Sequence, residues 1–243
     1  MIAVRMAGTE PSGIVAGMDL QLQGRVVLVV GGAGYIGSAI VSRLREEGAE
    51  VIAASRRDTA DLVIDGGDDA SVAAGFARLM EDHGRLDALV VTAAPSARTL
   101  DQSMNSDPAQ VLEGVDRKAM TFLRLANAAL GPMREAGFGR IVGISGQNAL
   151  LTGNVTGSVR NAALTIAAKG LADAAAGTGV TVNVVSPGLV TDTPSSEVQL
   201  AHGGESSPEQ IADLVAFLVS PRAAAISGEV INIGHRVLGV THL

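Results

Sequence analysis

RVVLVVGGAGYIGSAIVSRLREEGAEVIAASRR, residues 25–57, decides the fold. Its first six residues, 25–30, are Val-rich and, after Arg25, wholly apolar, and are stopped by glycine, which reads as a strand buried on both faces. Glycines at 31, 34 and 37 follow at once, and residues 35–47 then carry the apolar spacing of an amphipathic helix. A second apolar run, VIAAS at 51–55, completes a strand, helix, strand unit. Glycines so spaced permit a tight turn, a close approach of a ligand to the backbone and tight packing of helix on strand. The helix N-terminus offers unpaired N–H groups to phosphate. Gly31, Ala33, Gly34, Tyr35, Ile36 and Gly37 are therefore candidates to hold the pyrophosphate of a dinucleotide, the plain alternative being a structural turn.

The end of the second strand bears on which dinucleotide. A site that holds free ribose hydroxyls usually places an acid there, whereas this chain has Ser55, Arg56 and Arg57. Two guanidiniums and a hydroxyl suit a 2'-phosphate, so NADP(H) is expected over NAD(H). A solvated arginine pair is the alternative reading, and Asp58 keeps it open.

Further short Val- and Ile-rich runs lie at 62–65, 86–91, 140–145, 180–185 and 229–233, and each reads as a doubly buried strand. Helical stretches at 69–82, 108–136, 158–176 and 208–219 alternate with them, which implies a parallel sheet covered by helices. Neither an internal repeat nor a long linker divides the chain. The expectation is an N-terminal extension over 1–17 and one α/β dinucleotide-binding domain over 18–243. Segments 95–107 and 192–207, rich in Pro, Ser, Asp or Gly, should be the least ordered; the second could act as a lid.

Composition narrows the chemistry. Of 243 residues 47% are hydrophobic, enough for one sizeable core, and the net charge of -7 with scattered arginines argues against nucleic acid as a partner. No cysteine is present, which removes disulfides, thiolate metal sites and cysteine nucleophiles. The longest apolar stretch, 26–41, is too short and too glycine-rich to span a membrane, and residues 1–17 lack the apolar centre of a secretory signal, so a soluble cytoplasmic protein is expected. One tyrosine (Tyr35), two lysines (Lys118, Lys169) and four histidines are all the chain offers of those types, and no metal-ligand spacing appears.

Over roughly Met18 to Ile233 the sequence resembles the short-chain dehydrogenase/reductase family. The stretches that carry the likeness are MDLQLQGRVVLVVGGAGYIG at the start, GRLDALVVTAA at 84–94, VNVVSPGLV at 182–190 and SPEQIADLVAFLVSP at 207–221. The resemblance implies a single doubly wound Rossmann domain with a seven-stranded parallel sheet, and a homodimer or homotetramer. It also implies adenine contacts near Asp65 and Gly66, a cofactor-facing strand end at Thr92, Ala93 and Ala94, and nicotinamide contacts at Pro187, Gly188, Leu189 and Val190. It further implies a catalytic serine, tyrosine and lysine. Aligning NAALTIAAKG (161–170) on the family helix places Gly157 at the tyrosine and Asn161 at the lysine. Lys169 is eight residues, about 12 Å, further along that helix. The family's supporting asparagine falls near Asp116, Val30 replaces a common threonine, and His235 stands where a glycine pair often closes the last strand.

The expectation from these residues is an atypical NADPH-dependent ketoreductase. It would act on a bulky, largely apolar or aromatic ketone, with the proton supplied by substrate, water or weak donors. Ser145, Ser158 and Asn161 are the candidate catalytic residues, and Asn161 is also a candidate for the ribose hydroxyls. Each has a plainer reading: Ser145 as a strand cap, Ser158 as a helix N-cap, Asn161 as a structural amide. Arg160 has no tyrosine beside it to activate, and His202 is a loop histidine that could reach a substrate. Two other classes stay open: a non-redox enzyme such as a dehydratase, cyclase or isomerase using Asn148, Asn154 or His202, and a non-catalytic partner subunit.

Overall fold

The computed structural model describes residues 18–94 and 99–240. The proposed extension over 1–17, and residues 95–98 of the segment expected to be among the least ordered, lie outside the described residues. Seven strands form one parallel sheet: β1 (Val26–Val30), β2 (Glu50–Ser55), β3 (Leu62–Val63), β4 (Ala88–Val91), β5 (Gly139–Ile144), β6 (Val180–Pro187) and, last in the chain, β9 (Val230–Ile233). Their order across the sheet is β3-β2-β1-β4-β5-β6-β9. The chain thus builds outward from β1 to β3 and then returns to the other side of β1. This reversal opens a crevice above the carboxyl ends of β1 and β4, where an open α/β sheet binds its ligands.

Alternation along β1 divides the core. Val26, Leu28 and Val30 face Phe122, Leu125 and Leu164 of the helices on one side. Val27 and Val29 face Ile40, Leu44, Ile211 and Val215 on the other. Those helices are α1 (Tyr35–Glu46) and α6 (Pro208–Val219) on the second face, with α2 (Asp69–His83), α4 (Thr121–Glu135) and α5 (Val155–Ala174) on the first. β1, β4, β5 and β6 are buried on both faces as expected. The edge strands β3 and β9 are only half-buried or exposed, because each has a neighbour on one side alone.

Two helices depart from their expected form. The stretch 108–136 is α3 (Pro108–Val115), then a π-helical turn Asp116–Met120, then α4. α5 begins three residues earlier than expected, because Asn154 caps it by accepting the Gly157 N–H at 2.7 Å. The 192–207 segment is more firmly tied than its composition suggests. A short parallel pair, β7 (Leu189–Val190) with β8 (Glu205–Ser206), fixes both ends, and Ala201 and His202 exchange backbone bonds with Leu238. No helix among the described residues is long and apolar enough to cross a membrane.

Candidate functional site

The turn after β1 folds back on the end of β4. Gly31 has φ +91°, and a Cβ there would lie 2.4 Å from Thr92 Oγ1 and 2.8 Å from the Ala93 nitrogen. Gly37, in the first turn of α1, packs so tightly that its Cβ would fall 2.1 Å from the Gly31 carbonyl oxygen. Gly34 is the N-cap of α1 and has no side chain with which to cap it, so the N–H groups of the first turn point into the crevice mouth. Ala33, Gly34 and Tyr35 are exposed there, Ile36 is half-buried, and Ala94 follows Ala93 on the facing strand end. Thr92 Oγ1 donates to the carbonyls of Val30 and Gly31, locking the two strand ends together.

Ser55, at the end of β2, lines a cavity of about 650 Å³ with Gly32, Ala33, Ser38 and Arg45. Arg56 and Arg57 stand just outside it, both exposed; the Arg57 backbone N–H donates to Ser55 Oγ at 3.1 Å, and neither guanidinium pairs with another described residue. Asp65 is held in a turn, its carboxylate accepting from the Gly67 N–H at 3.0 Å. Gly66 is buried where a Cβ would lie 2.7 Å from Thr121 Cγ2. On the far side, Pro187 ends β6 and Gly188 presses on the Gly204 carbonyl, while Leu189 is exposed and Val190 half-buried beside the crevice. Tyr35 reaches across to this side and donates its hydroxyl to Asp192.

At the end of β5 the chemistry differs from the expectation. Ser145 is buried and its Oγ donates to the Asn161 backbone carbonyl at 3.1 Å. Asn161 is also buried, 4% exposed, and its Oδ1 has no hydrogen-bond partner among the described residues. Ser158 does not cap α5; it sits one turn inside the helix and donates to the Leu151 carbonyl. Asp116 does not reach this place either, since its carboxylate turns out to Arg124 at 3.1 Å.

Lys118 arrives there instead. The π turn directs Lys118 and Ala119 inward while Arg117 pairs outward with Glu113. Lys118 Nζ donates to the Ser145 carbonyl at 3.1 Å, and the side chain is buried. Burial, with the Arg160 guanidinium nearby, pushes its pKa down to about 7. Burial also lowers the pKa of Arg160. The sequence reading gave Lys118 no role, because DRK at 116–118 looks like a solvated helix face; only the extra residue of a π turn changes which face it joins. Lys169 lies on the outer surface, paired with Asp173, and His202 is an exposed residue bonded to the Leu200 carbonyl. No group of three His, Asp or Glu able to hold a metal ion occurs among the described residues.

A dinucleotide fits these residues. The Gly31 and Gly37 contacts leave a backbone cradle that side chains would fill, and the buried Asn161 Oδ1 is an acceptor awaiting a hydroxyl donor.

Comparison with known proteins agrees in extent. The family described as enoyl-(acyl carrier protein) reductase matches residues 31–234. The 3-oxoacyl-(acyl-carrier-protein) reductase FabG of Vibrio cholerae is 29% identical over 88% of this chain and 97% of its own. D-threitol dehydrogenase of Mycolicibacterium smegmatis is 32% identical over 90% and 95%. Among solved structures, one described as ribose-5-phosphate isomerase from Brucella melitensis matches with TM-score 0.78 and 26% identity, covering 89% of this chain and 93% of that one. The span of the family match, together with the switch point and glycine cradle, settles the family: the chain belongs to the short-chain dehydrogenase/reductases, a family of oxidoreductases.

Proposed function

We propose that the protein is a cytoplasmic NADPH-dependent ketoreductase that reduces a bulky, largely apolar small-molecule ketone without the tyrosine and lysine pair that its family resemblance implies. The observation that carries this reading is the glycine cradle closed on Thr92 and Ala93, with the guanidiniums of Arg56 and Arg57, unpaired among the described residues, at the end of β2. The reductase and dehydrogenase names of its relatives support the reaction class.

Gly31, Ala33, Gly34, Tyr35, Ile36 and Gly37 would hold the pyrophosphate, Ser55, Arg56 and Arg57 the 2'-phosphate, and Asp65 and Gly66 the adenine. Thr92, Ala93 and Ala94 would flank the cofactor, and Pro187, Gly188, Leu189 and Val190 the nicotinamide. When bound, that group supplies the hydride. Asn161 Oδ1 accepts from a ribose hydroxyl, which would satisfy a buried atom that otherwise costs about 1–3 kcal/mol. Ser145 has its proton committed to the Asn161 carbonyl, so it steadies the start of the β5–α5 connection and the neighbouring amide. Ser158 is equally committed to Leu151 and belongs to the local fold of α5.

A homodimer or homotetramer is part of the proposal. Leu112 on α3 and Val155, Val159 and Ile166 on α5 are exposed apolar residues on two packed helices, and Leu112 and Ile166 are each 71% exposed. A single species of monomer mass in sedimentation at micromolar concentration would remove this part.

The first experiment is a calorimetric titration with NADPH and, separately, NADH. Micromolar NADPH binding with much weaker NADH supports the reading; binding of neither overturns it. Asn161→Ala should weaken NADPH binding, and unchanged affinity and kinetics would remove its assigned role. A non-redox enzyme is the second reading, favoured by the likeness to the structure described as an isomerase. It requires catalysis that is indifferent to NADPH.

A further inference from the structure

We propose that Lys118 is the proton donor of this site, delivered to the end of β5 from the helix preceding that strand and not from α5. The inference deepens the reductase reading and rests on it. Its basis is a juxtaposition of three groups: the Lys118 Nζ on the Ser145 carbonyl at 3.1 Å, the Ser145 Oγ on the Asn161 carbonyl at 3.1 Å, and the partnerless Asn161 Oδ1. Gly146 lies against the same amide, where a Cβ would sit 3.1 Å from Asn161 Nδ2. Lys118 is therefore bonded to the backbone of Ser145, the strand-end serine offered above as a candidate catalytic residue.

The local chemistry asks for an acceptor. An ammonium carries three N–H groups, and Lys118 uses one of them on a described residue. The charged groups around it come from two elements. Arg160 faces it from α5, and on its own turn Asp116 and Arg117 are directed away to Arg124 and Glu113. β5 and α4 contribute Ser145 and Thr121, which carry no charge. Among the described residues no carboxylate acts on the Lys118 ammonium. A substrate oxygen gaining negative charge supplies Lys118 with an acceptor and an opposite charge.

The π turn explains how a lysine reaches this place. One extra residue in the turn rotates the following helix by about 100° relative to a regular continuation. That rotation puts Lys118 and Ala119 inside while Phe122 and Leu125 still face the sheet. As a hydride from the reduced nicotinamide dinucleotide reaches the carbonyl carbon, the π pair of the C=O bond moves onto oxygen. An N–H bond of Lys118 breaks as the new O–H bond forms. The lysine is left as a neutral amine, reprotonated from water once the alcohol leaves. Its depressed pKa of about 7 suits that exchange near neutrality.

With only two lysines in the chain, the test is direct. Protein labelled with ¹³C at lysine Cε gives two signals, and Lys169→Arg assigns the one from the surface. The Lys118 signal should titrate with a midpoint well below 9 in the protein without substrate. A signal that keeps its protonated shift through pH 9 overturns the proposal. In parallel, Lys118→Met and Lys118→Arg should bind NADPH as the wild type does yet reduce ketone about 10²- to 10⁴-fold more slowly. Wild-type reduction should fall as pH rises through about 7, because the ammonium is lost there. Full rescue by arginine would show that charge alone is needed and overturns proton donation, as does an unchanged rate in Lys118→Met. Should either variant fail to fold, the wild-type titration and pH profile decide. Failure of the wild type to bind NADPH overturns the reductase reading and this role with it, whereas a wild type that reduces ketone beside an equally active Lys118→Met overturns this role alone.

Discussion

The turn after β1 and the turn after β5 lie on the same edge of the sheet, and they differ in what they contribute to it. After β1, the proposed cofactor site is made of backbone: glycines remove side chains so that N–H groups and a flat surface remain. After β5, the proposed reaction site is made of side chains brought from separate elements, with Ser145 on the strand end, Asn161 on α5 and Lys118 on the π turn. A backbone site is fixed by a local spacing of residues. A side-chain site depends on how three elements are rotated against one another, and a single inserted residue in a helix can replace its members.

The largest effect should follow from filling the backbone site. In Gly37→Ala the new Cβ would lie 2.1 Å from the Gly31 carbonyl, so the loop must move. We expect a loss of about 2–4 kcal/mol in unfolding free energy by urea titration, and NADPH affinity reduced beyond measurement. A variant that kept wild-type affinity would break the contrast, because the cradle would then not be the binding element. The side-chain site should reveal itself through pH. Lys118 titrates at about 7 in the folded chain against an ordinary 10.5, so between those values the unfolded chain holds the extra proton. Stability should therefore rise with pH across that window, by on the order of a few kcal/mol, and Lys118 should contribute no slope below it. Urea midpoints at pH 7 and 9.5 measure this, and Lys118→Met should remove the rise. Parallel behaviour of the two proteins would place Lys118 in contact with water and undo its burial. A smaller effect is expected at the other end of the cofactor cradle: replacing Arg56 and Arg57 by alanine should weaken NADPH about 10- to 100-fold and leave NADH unchanged. Equal weakening of both would assign the pair a general role in charge.

How much could be read from the sequence follows the same division. The glycine spacing, the Val-rich runs and the alternation of strand with helix gave the sheet, its helices and the switch point, because each is set by local pattern. Helix starts were less legible. Ser158 and Asn154 are both good caps by composition; Asn154 takes the role because its Oδ1 accepts the Gly157 N–H, while the Ser158 hydroxyl is turned to the Leu151 carbonyl. Lys118 was illegible, since its neighbours Asp116 and Arg117 do face water and a regular helical register gives no reason to turn the lysine inward. The partnerless Asn161 Oδ1 and the Tyr35 bond to Asp192 likewise depend on contacts between distant segments.

His235 combines both kinds of constraint and gives the smallest expected effect. It follows Gly234 at the end of β9, and both residues have positive φ, +88° and +87°. A residue with a Cβ is strained there by about 1–2 kcal/mol, which accounts for the glycine pair that the family resemblance leads one to expect. The backbone nonetheless has to take this shape, because the His235 carbonyl accepts from Gln147 Nε2 and from the Gly204 N–H, both at 2.9 Å. These bonds join the β5 turn and the 192–207 segment to the C-terminal stretch. Substituting His235→Gly keeps the carbonyl in place and removes the strain, while the added freedom of the unfolded chain offsets about 0.5–1 kcal/mol of the gain. The net result should be a rise of about 1–2 °C in Tm by calorimetry with NADPH affinity unchanged. A fall in Tm would show instead that the imidazole, through its Nδ1 contact with the Arg236 carbonyl, holds the turn more firmly than the positive φ strains it.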